Sequence, residues 1–142
     1  MSFVIDSSVA LTWCFEDERT PATLALLDRV VQAGATAPAL WPLEVLNALA
    51  MAERRKHLTA TQRHHLSGFL RDLPITLDLE TAAQAWTATA HLAEQHRLTL
   101  YDASYLELAQ RLRLPLATLD RDLRAAASAL GVPALGLEEP NG

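Results

Sequence analysis

Phe3-Val4-Ile5-Asp6-Ser7-Ser8-Val9-Ala10 sets the pattern for the whole chain. Residues 2–5 are short, apolar and only weakly alternating, which predicts a buried strand rather than a helix. An acid, Asp6, closes that strand. Ser7 or Ser8 then caps a helix expected over Val9 to Phe15. The same order returns late in the chain. Leu114 to Leu119 reads as a strand, Asp120 closes it, and Arg121 to Leu130 reads as a helix that stops at Gly131. Two more acids touch apolar stretches. Glu44 lies in Ala39-Leu40-Trp41-Pro42-Leu43-Glu44-Val45-Leu46, and Asp102 in Leu98-Thr99-Leu100-Tyr101-Asp102-Ala103-Ser104. An unpaired carboxylate in such surroundings costs several kcal/mol, on the order of 3 or more. Four of them suggest a pocket that gathers negative charge for a purpose.

Between these segments, strands and helices alternate. Thr20-Pro21 has the form of a helix cap followed by the first helical residue, with Leu24, Leu27, Val30 and Val31 at helical spacing up to Gly34. Thr36-Ala37-Pro38 is a short second strand. Pro42 opens a helix to about Lys56 or His57 with a stripe of Val45, Leu46, Leu49 and Ala52. Thr59 caps the next helix, which ends near Asp72. Ile75-Thr76-Leu77 follows Pro74 as a third strand. A helix from Glu80 to about His96 carries Ala83, Trp86, Ala90 and Ala93, and Trp86, like Trp41, is expected to pack rather than stack a cofactor. Asp102 begins another helix, with Tyr105, Leu106, Leu108 and Ala109 facing inward. Ala134 to Leu137 is a last short strand. This order predicts a largely parallel α/β sheet of 4–5 short strands covered on both faces, a three-layer α/β/α sandwich.

Length and composition fit that picture. The 142 residues suggest one domain over 1–142, frayed at 137–142. Half of the residues are hydrophobic, ample for a core that buries roughly 70% of the unfolded surface. No apolar run is long enough for a membrane span, and no signal peptide is read. Cys14 is the only cysteine. That rules out an internal disulfide, fits a reducing cytoplasm, and suggests a small buried hydrophobe. A net charge of −5 argues against a protein-wide basic field for nucleic acid. Even so, Arg54, Arg55, Lys56, Arg63 and Arg71 lie close together among histidines. They form either a solvated helix face or a local rim for phosphates, with Arg54 and Arg55 its foremost candidates.

In open α/β sheets, sites form beyond the carboxyl ends of the strands. Asp6 and Asp120 are read at such ends, and Glu44 and Asp102 at helix starts on the same edge. Each acid has an ordinary explanation. Asp102 and Asp120 could be helix caps, Glu44 could answer a helix dipole, and Asp6 could accept backbone amides. All four falling on one edge weakens those explanations taken together. Clustered carboxylates raise one another's pKa values, and a hard cation cancels the repulsion. Oxygen-only ligands with water completing the shell favour Mg²⁺, or Mn²⁺, over Zn²⁺. One or two such ions activate water for in-line attack on phosphorus. Asp122 is a fifth candidate. Ser7, Ser8 and Thr118 are candidates to orient ligands by hydrogen bonds, with plain capping as the alternative.

Other chemistries fit less well. The five glycines are scattered, so there is no phosphate loop. His64/His65 and His91/His96 lack the spacing of a zinc helix. Gly-x-Ser-x-Gly is absent. In haloacid-dehalogenase-type phosphatases a second aspartate stands two residues after the first, where this chain has Ser8. A receiver domain's acidic pair and late lysine are also missing.

Four segments taken in order resemble the PIN domain, and within it the VapC-type toxin ribonucleases of toxin–antitoxin pairs. They are Val4-Ile5-Asp6-Ser7-Ser8-Val9-Ala10, Pro42-Leu43-Glu44-Val45-Leu46-Asn47-Ala48-Leu49, Leu98 to Ala109, and Leu116-Ala117-Thr118-Leu119-Asp120-Arg121-Asp122-Leu123. The resemblance spans essentially the whole chain. It implies a Mg²⁺-dependent endoribonuclease whose four acids are Asp6, Glu44, Asp102 and Asp120. Asp6 and Asp102 would be the principal metal ligands. Glu44 and Asp120 would act through water or place the attacking water. Asp122 matches an acid found in part of the family. The resemblance also implies a homodimer, an RNA substrate, and a VapB-like antitoxin whose tail covers the groove. An acidic protein suits a basic partner segment. Two alternatives keep the fold: a silent RNA- or protein-binding module, and a nuclease acting on another nucleic acid.

Overall fold

The computed structural model describes residues 2–137. Five strands form one parallel sheet: β1 (Val4–Ile5), β2 (Ala35–Pro38), β3 (Ile75–Asp78), β4 (Leu116–Ala117) and β5 (Ala134–Leu135), in the order β3-β2-β1-β4-β5. The strands are shorter than the sequence suggested at β4 and β5. Pairing lasts only where neighbours align in register, such as Val4 with Leu116 and Ile5 with Ala117. The expected frayed end lies, beyond Leu137, outside the described residues.

The helices are α1 (Ser7–Thr12), α2 (Pro21–Ala33), α3 (Trp41–Arg54), α4 (Ala60–Asp72), α5 (Thr81–Gln84), α6 (Ala90–His96), α7 (Leu100–Leu112) and α8 (Arg121–Ala129). A 3₁₀ turn spans Glu16–Glu18, and a π-helical turn at Ala85–Thr89 joins α5 to α6. Right-handed crossovers put α1–α4 on one face of the sheet and α5–α8 on the other. The sandwich therefore has the three layers that strand–helix alternation predicts.

Local chemistry sets the boundaries. Thr20 and Thr23 form a reciprocal cap at the start of α2, and Thr59 and Gln62 do the same for α4. Helix α1 starts two residues earlier than expected because Asp6, not a serine, is its cap residue. Helix α7 also starts two residues early. The Thr99 hydroxyl accepts from the Asp102 amide at 3.1 Å, so Asp102 sits one turn inside the helix rather than capping it. Gly34 ends α2 at φ +77°, and a Cβ there would stand 2.9 Å from the Pro74 carbonyl oxygen. Both conditions demand glycine.

Phe3, Val4 and Ile5 are fully buried, as are Leu116, Ala117, Leu106 and Leu108. Each large side chain among them contributes about 1.5–3 kcal/mol by leaving water. Helix α7 contacts β1, β2 and β4, so it is the central element of its layer. Strands β2 and β3 lead away from β1 on one side, while β4 and β5 lie on the other. Chain direction across the sheet thus reverses between β1 and β4. In open sheets a crevice opens at that point, beyond the strands' carboxyl ends.

Candidate metal centre

Asp6 follows β1 at the crevice and is only 4% exposed. Two hydroxyls hold it. Ser8 Oγ and Thr118 Oγ1 each donate to Asp6 Oδ2, both at 2.7 Å. Those hydroxyls also accept backbone amides from the β4–α8 loop, Ser8 from Leu119 at 3.0 Å and Thr118 from Asp120 at 3.1 Å. A hydroxyl has one proton to give, and the accepted amides orient both protons toward Asp6. Oδ2 is therefore well engaged. Ser7 Oγ makes a longer contact with Oδ1 at 3.4 Å, and the Ser7 backbone also bonds to the carboxylate. The same bonds tie the acid after β1 to the loop that carries Asp120.

The other acids approach from three elements. Glu44 sits in the first turn of α3 and accepts a hydrogen bond from the hydroxyl of Tyr105 on α7. Tyr105 is completely buried. Burial, then the charge of Glu44, keeps its phenol protonated far above the usual range. Asp102 is in the first turn of α7. Asp120 caps α8, its Oδ2 accepting from the Leu123 amide at 2.8 Å.

Electrostatics connect these groups. Burial raises the Asp6 carboxyl above the ordinary aspartate range; the hydroxyl bonds pull it down, and the charge of Asp120 pushes it up again. Glu44 is raised first by burial and then by the charges of Asp6 and Asp102, against the lowering bond from Tyr105. Asp102 is raised by burial, then by Asp6 and Asp120, with Asp122 adding a smaller push. The fold thus brings Asp6, Glu44, Asp102 and Asp120 into one repulsive field. Asp122 is exposed at the start of α8 and acts from the rim. The ion pairs of the described residues leave the four central acids out.

This donor set fits a hard divalent cation. All the donors are carboxylate oxygens, and Asp6, Glu44 and Asp102 are raised by burial first and by neighbouring negative charge second, both of which a bound cation would offset. Among the described residues, no group of three or more His, Cys, Asp or Glu side chains is already drawn up to hold an ion. The acids share a field without forming a closed cage.

Other candidates lie elsewhere. Arg54 and Arg55 are exposed at the far end of α3, ten residues from Glu44, or about 15 Å along the axis. The fold does not bring them to the acids. Cys14 is buried, and burial pushes its thiol up to about 11, as expected for an inert packing residue. Trp41 is buried as expected, but Trp86 is 87% exposed. Trp86 sits in the π turn at Ala85–Thr89, where the helix departs from its steady 100° progression. A mostly apolar cavity of about 350 Å³ lies between α3, α4 and β3, lined by Trp41, Val45, Leu46 and Ile75 among others, with no carboxylate in its wall. Sequence reasoning missed Tyr105 as a polar group. It looked like one more member of an apolar helical stripe, and its partner is 61 residues away.

Comparison with known proteins supports the same fold. Among solved structures, PAE2754 from Pyrobaculum aerophilum is similar over 94% of this chain and 83% of its own, with 23% identity and a TM-score of 0.68. FitAcB from Neisseria gonorrhoeae is similar over 96% of this chain and 97% of its own, with 18% identity and a TM-score of 0.65. VapBC-5 from Mycobacterium tuberculosis is similar over 96% and 98%, with 20% identity and a TM-score of 0.59. A search of curated proteins gave no match. The family described as PIN domain matches residues 3–129. The chain belongs to the PIN domain family.

Proposed function

We propose that this protein is a metal-dependent endoribonuclease and the toxin of a toxin–antitoxin pair. The observation that carries the reading is Asp6: a buried, hydroxyl-braced carboxylate sharing its field with Asp102, Asp120 and Glu44 at the sheet's switch point. Family membership and the likeness to VapBC-5, described as a member of a toxin–antitoxin family, support the toxin assignment. The same reading includes a cytoplasmic homodimer and a VapB-like antitoxin with a basic segment to meet the acids.

In this reading Asp6 and Asp102 ligate Mg²⁺, with Mn²⁺ as a substitute, while Glu44 and Asp120 act through water. Once bound, the cation supplies Lewis acidity and lowers the pKa of water for in-line attack on a phosphodiester. The chain's own residues prepare for it. Ser8 and Thr118 fix the Asp6 carboxylate through Oδ2, so that it would meet the cation in one orientation. Tyr105 donates to Glu44 and favours its charged form. Asp120, anchored by the Leu123 amide, holds its place on the rim of α8. No side-chain nucleophile is required.

The test is digestion of labelled single-stranded RNA and DNA by purified protein, with Mg²⁺ or EDTA, beside Asp102→Asn. We expect RNA to be cut, EDTA to stop it, and the variant to be silent. Cutting of DNA alone would move the substrate to the alternative nuclease reading. RNA binding without cutting would leave a silent binding module. Cleavage by Asp102→Asn at the parent rate would overturn the site itself.

A further inference from the structure

An acid-lined site repels RNA unless something beside it attracts phosphate and base. Of the basic stretch that the sequence singled out, Arg54 and Arg55 lie at the end of α3 away from Glu44. The turn between α6 and α7 is better placed. His96 and Arg97, at the end of α6, line a cavity of about 400 Å³ together with Asp122 of α8. Asp122 is also close enough for its charge to act on Asp102. These two basic residues thus border the acidic field itself.

The start of α7 adds an aromatic. Tyr101 is 66% exposed, an unusual setting for a ring that could pack inward. It is one turn before Tyr105 on the same side of the helix, with Asp102 beside it. Tyr105 reaches Glu44 inside the site. Tyr101 therefore stands one turn nearer the start of α7, next in sequence to Asp102. An exposed ring next to a reacting phosphate is the recurring means of holding an unpaired base, because every base has a π face.

We propose that the α6–α7 turn is the lip that grips single-stranded RNA, with Tyr101 stacking one unpaired base and Arg97 and His96 taking a neighbouring phosphate. This rests on the ribonuclease reading and adds where the substrate lies. Base preference at the cut then depends on the Tyr101 lip.

The experiment uses the full chain and single-stranded RNA carrying 2-aminopurine. Binding is followed by fluorescence with Ca²⁺ in place of Mg²⁺, and cleavage kinetics are followed with Mg²⁺. The parent should quench the probe at one or more positions. Tyr101→Ala should lose that quenching and bind about tenfold more weakly, with the loss falling on KM more than on kcat. Tyr101→Phe should keep both. Arg97→Ala should lower the slope of log affinity against log salt by about one, while the Arg54→Ala/Arg55→Ala double variant leaves it unchanged. A parent that cuts RNA while Tyr101→Ala binds and quenches like it would overturn the lip alone. A parent that leaves RNA uncut removes the ribonuclease reading, and this proposal with it.

Discussion

Two clusters of carboxylates in this molecule are handled in opposite ways. At the end of β3, Asp78 and Glu80 meet Glu107 of α7, and Arg111 is set among them. Arg111 pairs with Asp78 at 2.7 Å, Glu80 at 3.0 Å and Glu107 at 2.7 Å. Although burial pushes Asp78 upward, bonds from Arg111, the Glu80 amide and Thr81 bring its carboxyl below the ordinary range. At the switch point, by contrast, Asp6, Glu44 and Asp102 all stand above that range, and the ion pairs found among the described residues do not include them. Acids that hold the fold together come with their cation built in. Acids kept without one repel each other at a cost to stability, which makes sense where a cation from outside is to be bound.

The sharpest way to break this contrast is to neutralise one acid at the switch point. Asp6→Asn should lower RNA cleavage by on the order of 10²–10³-fold, measured with fluorescent RNA, while circular dichroism shows the fold intact. If cleavage persists, the unpaired cluster has no catalytic meaning. The opposite operation, Arg111→Leu, leaves two nearly buried carboxylates without their partner. It should cost about 3 kcal/mol of stability in urea unfolding, and cleavage per folded molecule should remain. An Arg111 variant that unfolds no more easily than the parent would remove the structural half of the comparison.

Tyr105→Phe sharpens the site half. It keeps the ring in the core and deletes the hydroxyl, with its bond to Glu44 and its contact with Ser7. We expect roughly a tenfold loss in Mn²⁺ affinity by calorimetry, in the range for groups that orient metal ligands, with little change in Tm. Metal addition is a further probe: Mg²⁺ should raise the Tm of the parent and leave that of Asp102→Asn nearly unmoved.

The smallest effect concerns pH. Acids with raised native pKa values bind protons more readily folded than unfolded. They therefore destabilise the metal-free fold above their native pKa, and the penalty fades as pH falls through it toward the unfolded value. Metal-free parent should gain stability relative to Asp102→Asn when pH is lowered from neutral into the acid range, and Asp102→Asn should be a few degrees more stable at neutral pH. Parallel Tm profiles for the two proteins would deny the repulsion.

Much of this was legible in the sequence because strands announced themselves by what ended them. Asp6 and Asp120 close apolar runs, and the glycine and proline breaks around them fixed the alternation that implies a parallel sheet. The four acids could be assigned to one edge for the same reason. What could not be read were pairings set only by the third dimension. Tyr105 and Glu44 meet across the two helical layers. Arg111 finds Asp78 at the end of β3 and Glu80 just before α5. Trp86 looked buried because an alanine-rich helix gives a weak stripe, and a π turn leaves no mark in the sequence. Asp102 was misplaced by one turn because Thr99 is equally able to cap, and a cap is decided by backbone angles as much as by residue type.

The pairing of β1 with β4 also bears on how the protein is made. Val4 lies beside Leu116, so the oldest strand of a growing polypeptide waits for one of the last. Until Thr118 and Asp120 leave the ribosome, Asp6 has only Ser8 of its two bracing hydroxyls and lacks its distant companion. A nascent chain thus lacks the assembled acid cluster for most of its synthesis, and premature termination anywhere before β4 leaves Asp6 without Thr118 and Asp120.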